Sequence, residues 1–169
     1  MRLLAMIETA RGVINAAAIA GASPRMERAD LWRRGLCGER GCAAAPRLEL
    51  FYARSAVVTA AAAYGLQAID MIFTELDNAT DLAAECAFAA LGFVGKTAIH
   101  PAQLAPINAV LTPTPQEIAH AERLLAAYDA PPRAPAFELD GRMVDRPMVR
   151  RRGEVLARAG RGVKRGRET

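Results

Sequence analysis

Histidine, cysteine and aromatic side chains are all scarce in this chain. Two histidines, His100 and His120, and three cysteines, Cys37, Cys42 and Cys86, are spread over 169 residues. Cys37 and Cys42 lack the two-residue gap of a zinc-ligand pair and have no second pair to complete a site, which argues against structural zinc. Three scattered cysteines make no disulfide framework. Aromatic residues account for 5%, too few to interleave with basic residues as a stacking platform for nucleic-acid bases. No apolar run reaches the roughly 18 residues that read as a membrane span. The opening MRLLAMIETARG has a short apolar run closed by Glu8, too short for a signal peptide. The default compartment is the cytoplasm.

Apolar residues make up 52% and charged residues 24%, ordinary for a soluble globular protein. Alanine is abundant, which favours helices packed closely through small side chains. The net charge of +4 is uneven. Much of the excess sits in residues 27–42, ERADLWRRGLCGERGC, and in the tail from Arg146 onward. The tail reads as a solvated amphipathic helix with a frayed end. Nucleic-acid binding through Arg150, Arg151, Arg152, Arg158 and Arg161 is a remote alternative.

Strand-like and helix-like runs alternate. Residues 2–8, 66–73 and 93–99 read as strands buried on both faces, with Glu8 and His100 at strand ends. Helical patterns cover 9–23, 47–65, 79–92 and 113–130, and a last one covers 146–160. Thr80 is the expected N-cap of the third. Thr114, Pro115 and Glu117 form a start signature for the fourth. Residues 131–145 read as a proline-rich connection running into an extended piece. The repeated strand–helix order implies an α/β fold with parallel strands. A fourth strand is due at about 29–35.

Four blocks then become recognisable: LLAMIETARGVINAAAIA, AIDMIFTELDN, GFVGKTAIHPAQLAPINAVLTPTPQEIAHAERLLAAY and DGRMVDRPMVRRR. In this order and spacing they resemble the second half of citrate lyase β-subunit-like proteins, in the HpcH/HpaI aldolase group of CoA-ester lyases. The resemblance implies a partial (β/α)₈ barrel over residues 1–130, its later units, and a C-terminal extension over 131–169. It implies carbon–carbon lyase chemistry on a CoA thioester of a hydroxy acid, of the citryl-CoA or malyl-CoA type. It implies Mg²⁺ held by Glu8 and by an aspartate at the end of the next strand. Asp145, in MVDRP, matches a residue that moves a proton in a neighbouring subunit's site. His100 and Pro101 match a segment near the CoA nucleotide. The intact family implies a homo-oligomer, a trimer or hexamer, with no membrane partner.

Two departures qualify this. The first four strands of such a barrel, with its substrate-binding arginine, are expected to be absent. Residues 29–42 stand where the family has a strand like LIFGAEDFAASVGA, and a one-base shift of suitably chosen codons converts one into the other. Residues of about 29–46 are therefore expected to be a local frameshift, restored by Leu48. Gly35 then takes the place of the metal-binding aspartate, and the segment should be a loop or a poorly ordered helix. An inactive fragment, acting at most as an interaction partner, is the alternative to a lyase.

Each candidate also has a plain structural reading. Asp145 can cap the last helix, and His100 can be a hydrogen-bonded strand-end residue. Asp70, Glu75 and Asp77 can face a site, solvate a loop or cap a helix. Gly95-Lys96-Thr97 ends like a phosphate loop, but Ala90 stands where the first glycine is required, so nucleotide hydrolysis is rejected.

Overall fold

In the computed structural model of the chain, which describes residues 1–32, 35–36, 50–89, 92–130 and 135–160, the apolar run LLAMI forms β1 (Leu3–Ile7). Thr9 caps the next turn by accepting from the Gly12 N–H at 3.0 Å. Two short helices follow, α1 (Ala10–Ile14) and α2 (Ala16–Ala20), where the pattern predicts one. Asn15 separates them: its Nδ2 donates to the Arg11 carbonyl at 2.7 Å, a side chain competing for helix backbone.

β2 (Met26–Leu31) pairs in parallel with β1 and with β3 (Gln67–Asp70). This corrects the loop or poorly ordered helix expected from residue 29. The strand ends at Leu31, before Arg33 and Arg34, which lie outside the described residues together with 37–49. Within the strand, Ala29 and Leu31 are buried while Arg28 is exposed, so the charge takes the open face.

Helix α3 (Phe51–Ala63) precedes β3, and α4 (Ala79–Ala89) follows it. The cap of α4 is Asn78, whose Oδ1 accepts from the Asp81 N–H at 3.1 Å, not Thr80. β4 (Gly95–Lys96) completes a sheet of order β1-β2-β3-β4. A 3₁₀ turn (Pro101–Gln103) leads into α5 (Leu104–Leu111). These elements make up one unit, Met1–Leu111; Thr112–Thr169 forms a second.

The strands are not buried on both faces. Ile7, Ala29, Leu31 and Ala68 join one apolar cluster with Val13, Ala16, Ala53, Val57 and Ala60 of the helices. The alternate residues Leu4 and Met6 are 47% and 48% exposed. Among the described residues the helices cover one face of the sheet only.

The covered face also holds four charges. Arg54 of α3 donates to Asp70 at 3.1 and 3.3 Å and to Glu85 of α4 at 3.1 Å. Lys96 of β4 donates to Asp70 at 3.1 Å, to Glu85 at 2.9 Å and to the Met71 carbonyl at 2.8 Å. Asp70 and Lys96 are register partners on adjacent strands. Two cations and two anions cancel, and each bridges both opposite charges, which offsets the cost of taking them out of water.

The second unit is built from local signals. α6 (Pro115–Asp129) starts with a full capping box between Thr114 and Glu117. The cap hydrogen bonds from Thr114 hold the Glu117 carboxyl below its ordinary range. Residues 136–145 form an antiparallel hairpin, β5 (Ala136–Leu139) and β6 (Arg142–Asp145), in place of one extended piece. Its turn is Asp140-Gly141, at φ 52° and 73°, the left-handed pair that a two-residue hairpin favours. α7 (Arg146–Arg158) follows, and Ala121 of α6 is buried with Val155 and Leu156 of α7.

Replacing Lys96 by Met removes one cation and leaves two buried carboxylates on Arg54 alone. Breaking a buried ion network this way costs about 3–5 kcal/mol. Urea denaturation of Lys96→Met against the parent chain checks this; a loss below about 1 kcal/mol would show that the network contributes little.

Candidate functional site

Parallel strands deliver their following residues to one edge of a sheet, where α/β folds build sites. Glu8 comes directly after β1 and is half-buried there. β2 runs on beside it: the Trp32 N–H donates to the Ile7 carbonyl at 2.9 Å. The chain then brings Gly35 against Glu8. A Cβ on Gly35 would lie 2.6 Å from the Glu8 carbonyl oxygen and 3.3 Å from the Glu8 Cβ. Only a residue without a side chain fits that approach.

Asp30 lies on the same bare face, in register with Met6. Its Oδ1 is buried and has no hydrogen-bond partner among the described residues. Burial raises its carboxyl above the ordinary value, and the charge of nearby Arg28 opposes the rise. Its orphaned oxygen depends on which residues neighbouring strands place around it, and no local motif signals that.

The other sequence candidates belong to other elements. His100 lies four residues beyond β4, the strand at the far side of the sheet from β1. Its Nδ1 accepts from the Ala102 N–H at 3.2 Å, and Pro101 opens the 3₁₀ turn it caps. Asp145 belongs to the second unit and caps α7, its Oδ1 accepting from the Met148 N–H at 3.2 Å. Asp70 does not face the sheet edge; it turns to the helices and is fully buried. Glu75 accepts from Asn78 Nδ2 at 3.0 Å in the loop before α4. Lys96 has its Nζ committed to the buried network.

Arg54 and Glu85 are functional in the fold and were not singled out from sequence. Their only signal is a lone arginine in SAVV-type apolar surroundings and a lone glutamate in an alanine-rich helix. Cys86, next to Glu85, is buried, and burial pushes its thiol up. Among the described residues no group of three or more His, Cys, Asp or Glu is placed to hold a metal ion, and no helix is long and apolar enough to cross a membrane.

The model of one family, HpcH/HpaI aldolase/citrate lyase, matches residues 1–101. The chain belongs to that family. Its relatives include citrate lyase subunit beta of Leuconostoc mesenteroides subsp. cremoris, 36% identical over 158 residues, covering 91% of this chain and 52% of the relative. The (3S)-malyl-CoA thioesterase of Cereibacter sphaeroides is 37% identical over 161 residues, covering 93% and 56%. Among solved structures, CitE of Mycobacterium tuberculosis in complex with magnesium, acetoacetate and coenzyme A superposes with a TM-score of 0.79 at 30% identity, covering 94% of this chain and 61% of that one. The chain thus spans about half the length of the curated HpcH/HpaI relatives it matches. Glu8, Asp30, Gly35 and His100 fall inside the stretch matched by the family model, and Asp145 falls beyond it.

Because the folded protein holds the Asp30 proton more tightly than the unfolded chain does, this group's contribution is full below the ordinary carboxylate range. It is lost as pH climbs through the raised value. Asp30→Asn removes the buried charge. The variant is expected to melt above the parent at pH 7 and to lose that advantage near pH 4; equal melting temperatures at both would show that Asp30 is well solvated.

Proposed function

We propose that this chain carries the later units of a (β/α)₈ barrel and serves carbon–carbon lyase chemistry on a CoA thioester of a hydroxy acid. The observation behind this reading is the family match over residues 1–101, with Glu8 at the C-terminal edge of the sheet, where barrels of this kind hold their catalytic groups. The relatives divide between lyases and a thioesterase, so the bond broken is the open part of the proposal.

In a lyase reaction the hydroxyl of the substrate loses its proton and the adjacent carbon–carbon bond breaks. A keto group forms, and the electron pair passes to the carbon beside the thioester carbonyl, which then takes up a proton. Asp145 is our candidate for handling that last proton. Its Oδ1 is already engaged with the Met148 N–H. His100 and Pro101 are candidates for contacts with the CoA portion.

Magnesium accompanies relatives in their structures, and hard oxygen donors suit it. The described residues do not make such a site. Glu8 has no second carboxylate at the position the family resemblance requires, because Gly35 stands there with its backbone against Glu8. No step is therefore derived through the ion. This same contact favours a second reading, an inactive partner protein descended from a lyase by a shifted reading frame.

Supplying malyl-CoA or citryl-CoA and following two products separates these readings. A lyase releases a keto acid and leaves the thioester intact, whereas a thioesterase releases a free thiol. The expected result is keto acid without thiol, lost in Glu8→Gln. Free thiol alone would move the assignment to thioester hydrolysis, and no turnover of either kind would favour the inactive partner. Asp145→Asn keeps a good helix cap. It is expected to lose activity without losing melting temperature if Asp145 moves a proton; unchanged turnover would leave Asp145 as a cap only.

A further inference from the structure

We infer that Gln103 is a positioning residue. It stitches together the two chain segments that leave β3 and β4, and through that stitch it holds the His100 imidazole in one tautomer, with Nε2–H as its free donor.

β3 and β4 pair over two positions, Ile69 with Gly95 and Asp70 with Lys96. One more backbone bond follows, from the Thr97 N–H to the Asp70 carbonyl at 3.0 Å. Beyond it the two segments share no backbone hydrogen bond among the described residues. The Gln103 side chain takes over there. Its Nε2 donates to the Phe73 carbonyl at 2.8 Å, and its Oε1 accepts from the Ile99 N–H at 3.0 Å. Phe73 stands three residues past β3 and Ile99 three residues past β4. One amide thus does between these segments what a peptide group does inside a sheet.

The position demands an amide. Gln103 is 1% exposed, and a buried carbonyl or N–H left without a partner is costly. One partner only accepts and the other only donates, so the group between them must offer both functions. A carboxylate would face the Phe73 carbonyl with oxygen, and an apolar side chain would abandon both partners. The same two partners fix which end of the amide is nitrogen.

The stitch reaches His100 from both sides. Ile99 precedes it, and the Gln103 N–H donates to the His100 carbonyl at 3.0 Å. Pro101 fixes one backbone rotation inside the turn. With the turn held, the Ala102 N–H donates to His100 Nδ1 at 3.2 Å. A ring nitrogen that accepts carries no proton, so the neutral imidazole bears its proton on Nε2. His100 is exposed, and its Nε2 makes no hydrogen bond among the described residues. The turn therefore presents one N–H donor, suited to an acceptor oxygen such as that of a phosphate. This use of the donor rests on the reading of His100 as a contact for the CoA portion; the tautomer and its dependence on Gln103 do not.

Long-range proton–nitrogen correlation spectra of the histidine rings at about pH 8, above the ordinary histidine range, test this together with calorimetric titration of free coenzyme A. His100→Gln identifies the His100 signals, since His120 is the other histidine. The parent is expected to show the Nε2–H pattern at His100. Gln103→Met is expected to show a mixture of both tautomers, with an unchanged helical circular-dichroism spectrum. Coenzyme A is expected to bind about tenfold more weakly to Gln103→Met and to His100→Gln, and no more weakly to the double variant than to His100→Gln alone, as for two residues acting through one contact. Mixed tautomers in the parent, a His100 ring unchanged in Gln103→Met, or losses that add in the double variant would overturn the inference. The tautomer change in Gln103→Met, with no coenzyme A bound even by the parent, would uphold Gln103 and remove the CoA reading instead. Should Gln103→Met fail to fold, Gln103→Glu replaces it, with the same mixture expected and an unchanged ring overturning the inference.

Discussion

The helices α3 and α4 are tied to β3 and β4 by four buried charges. Arg54, Asp70, Glu85 and Lys96 come from two helices and two strands, and each is bonded to both charges of opposite sign. A helix that slid by one turn would carry Arg54 or Glu85 away and strand the rest in a low-dielectric interior. Apolar contacts between alanines tolerate such sliding far better, because small side chains offer shallow ridges. The network therefore does for this alanine-rich layer what larger interlocking side chains do elsewhere: it selects one register of helix on sheet.

The network also divides the sheet chemically. Asp70 and Lys96 spend their side chains on the helix side, while the next residues along each strand look the other way. The charges that hold the layers together lie on the helix side of the sheet. Glu8, after β1, and Asp30, on the bare face, lie outside that network. Of the two, Asp30 has a buried oxygen that finds no hydrogen-bond partner among the described residues.

Much of the fold was legible because its signals are local. The Thr114–Glu117 box and the run LLAMI each carry their own instruction within five residues. The Asp140-Gly141 pair carried one too, and reading residues 131–145 as a single extended piece overlooked it. Non-local features were not legible. Arg54 meets partners 16 and 31 positions away, and nothing near it in sequence names them. Burial of strands on both faces was inferred from their apolar content, yet exposure is set by what else is present to cover them. At the candidate site, Glu8 was singled out through family resemblance alone, and the closeness of Gly35 to it has no signal in the sequence. Asp30 was passed over because strand register decides its surroundings. Residues 33–34 and 37–49, where the shifted frame is expected to have its largest effect, lie outside the described residues.

The hairpin of the second unit bears on the order in which the protein is assembled. Its turn closes between Leu139 and Arg142, and the capped helix ahead of it needs no distant partner to begin. Hairpins and helices of this size form within microseconds. The sheet of the first unit must bring residue 3 together with residue 26, residue 28 with 67, and residue 69 with 95, each across a loop whose closure is costly in chain entropy. The second unit, synthesised after the sheet, is thus the faster to organise, and the slower sheet spends the longer time with its edges open.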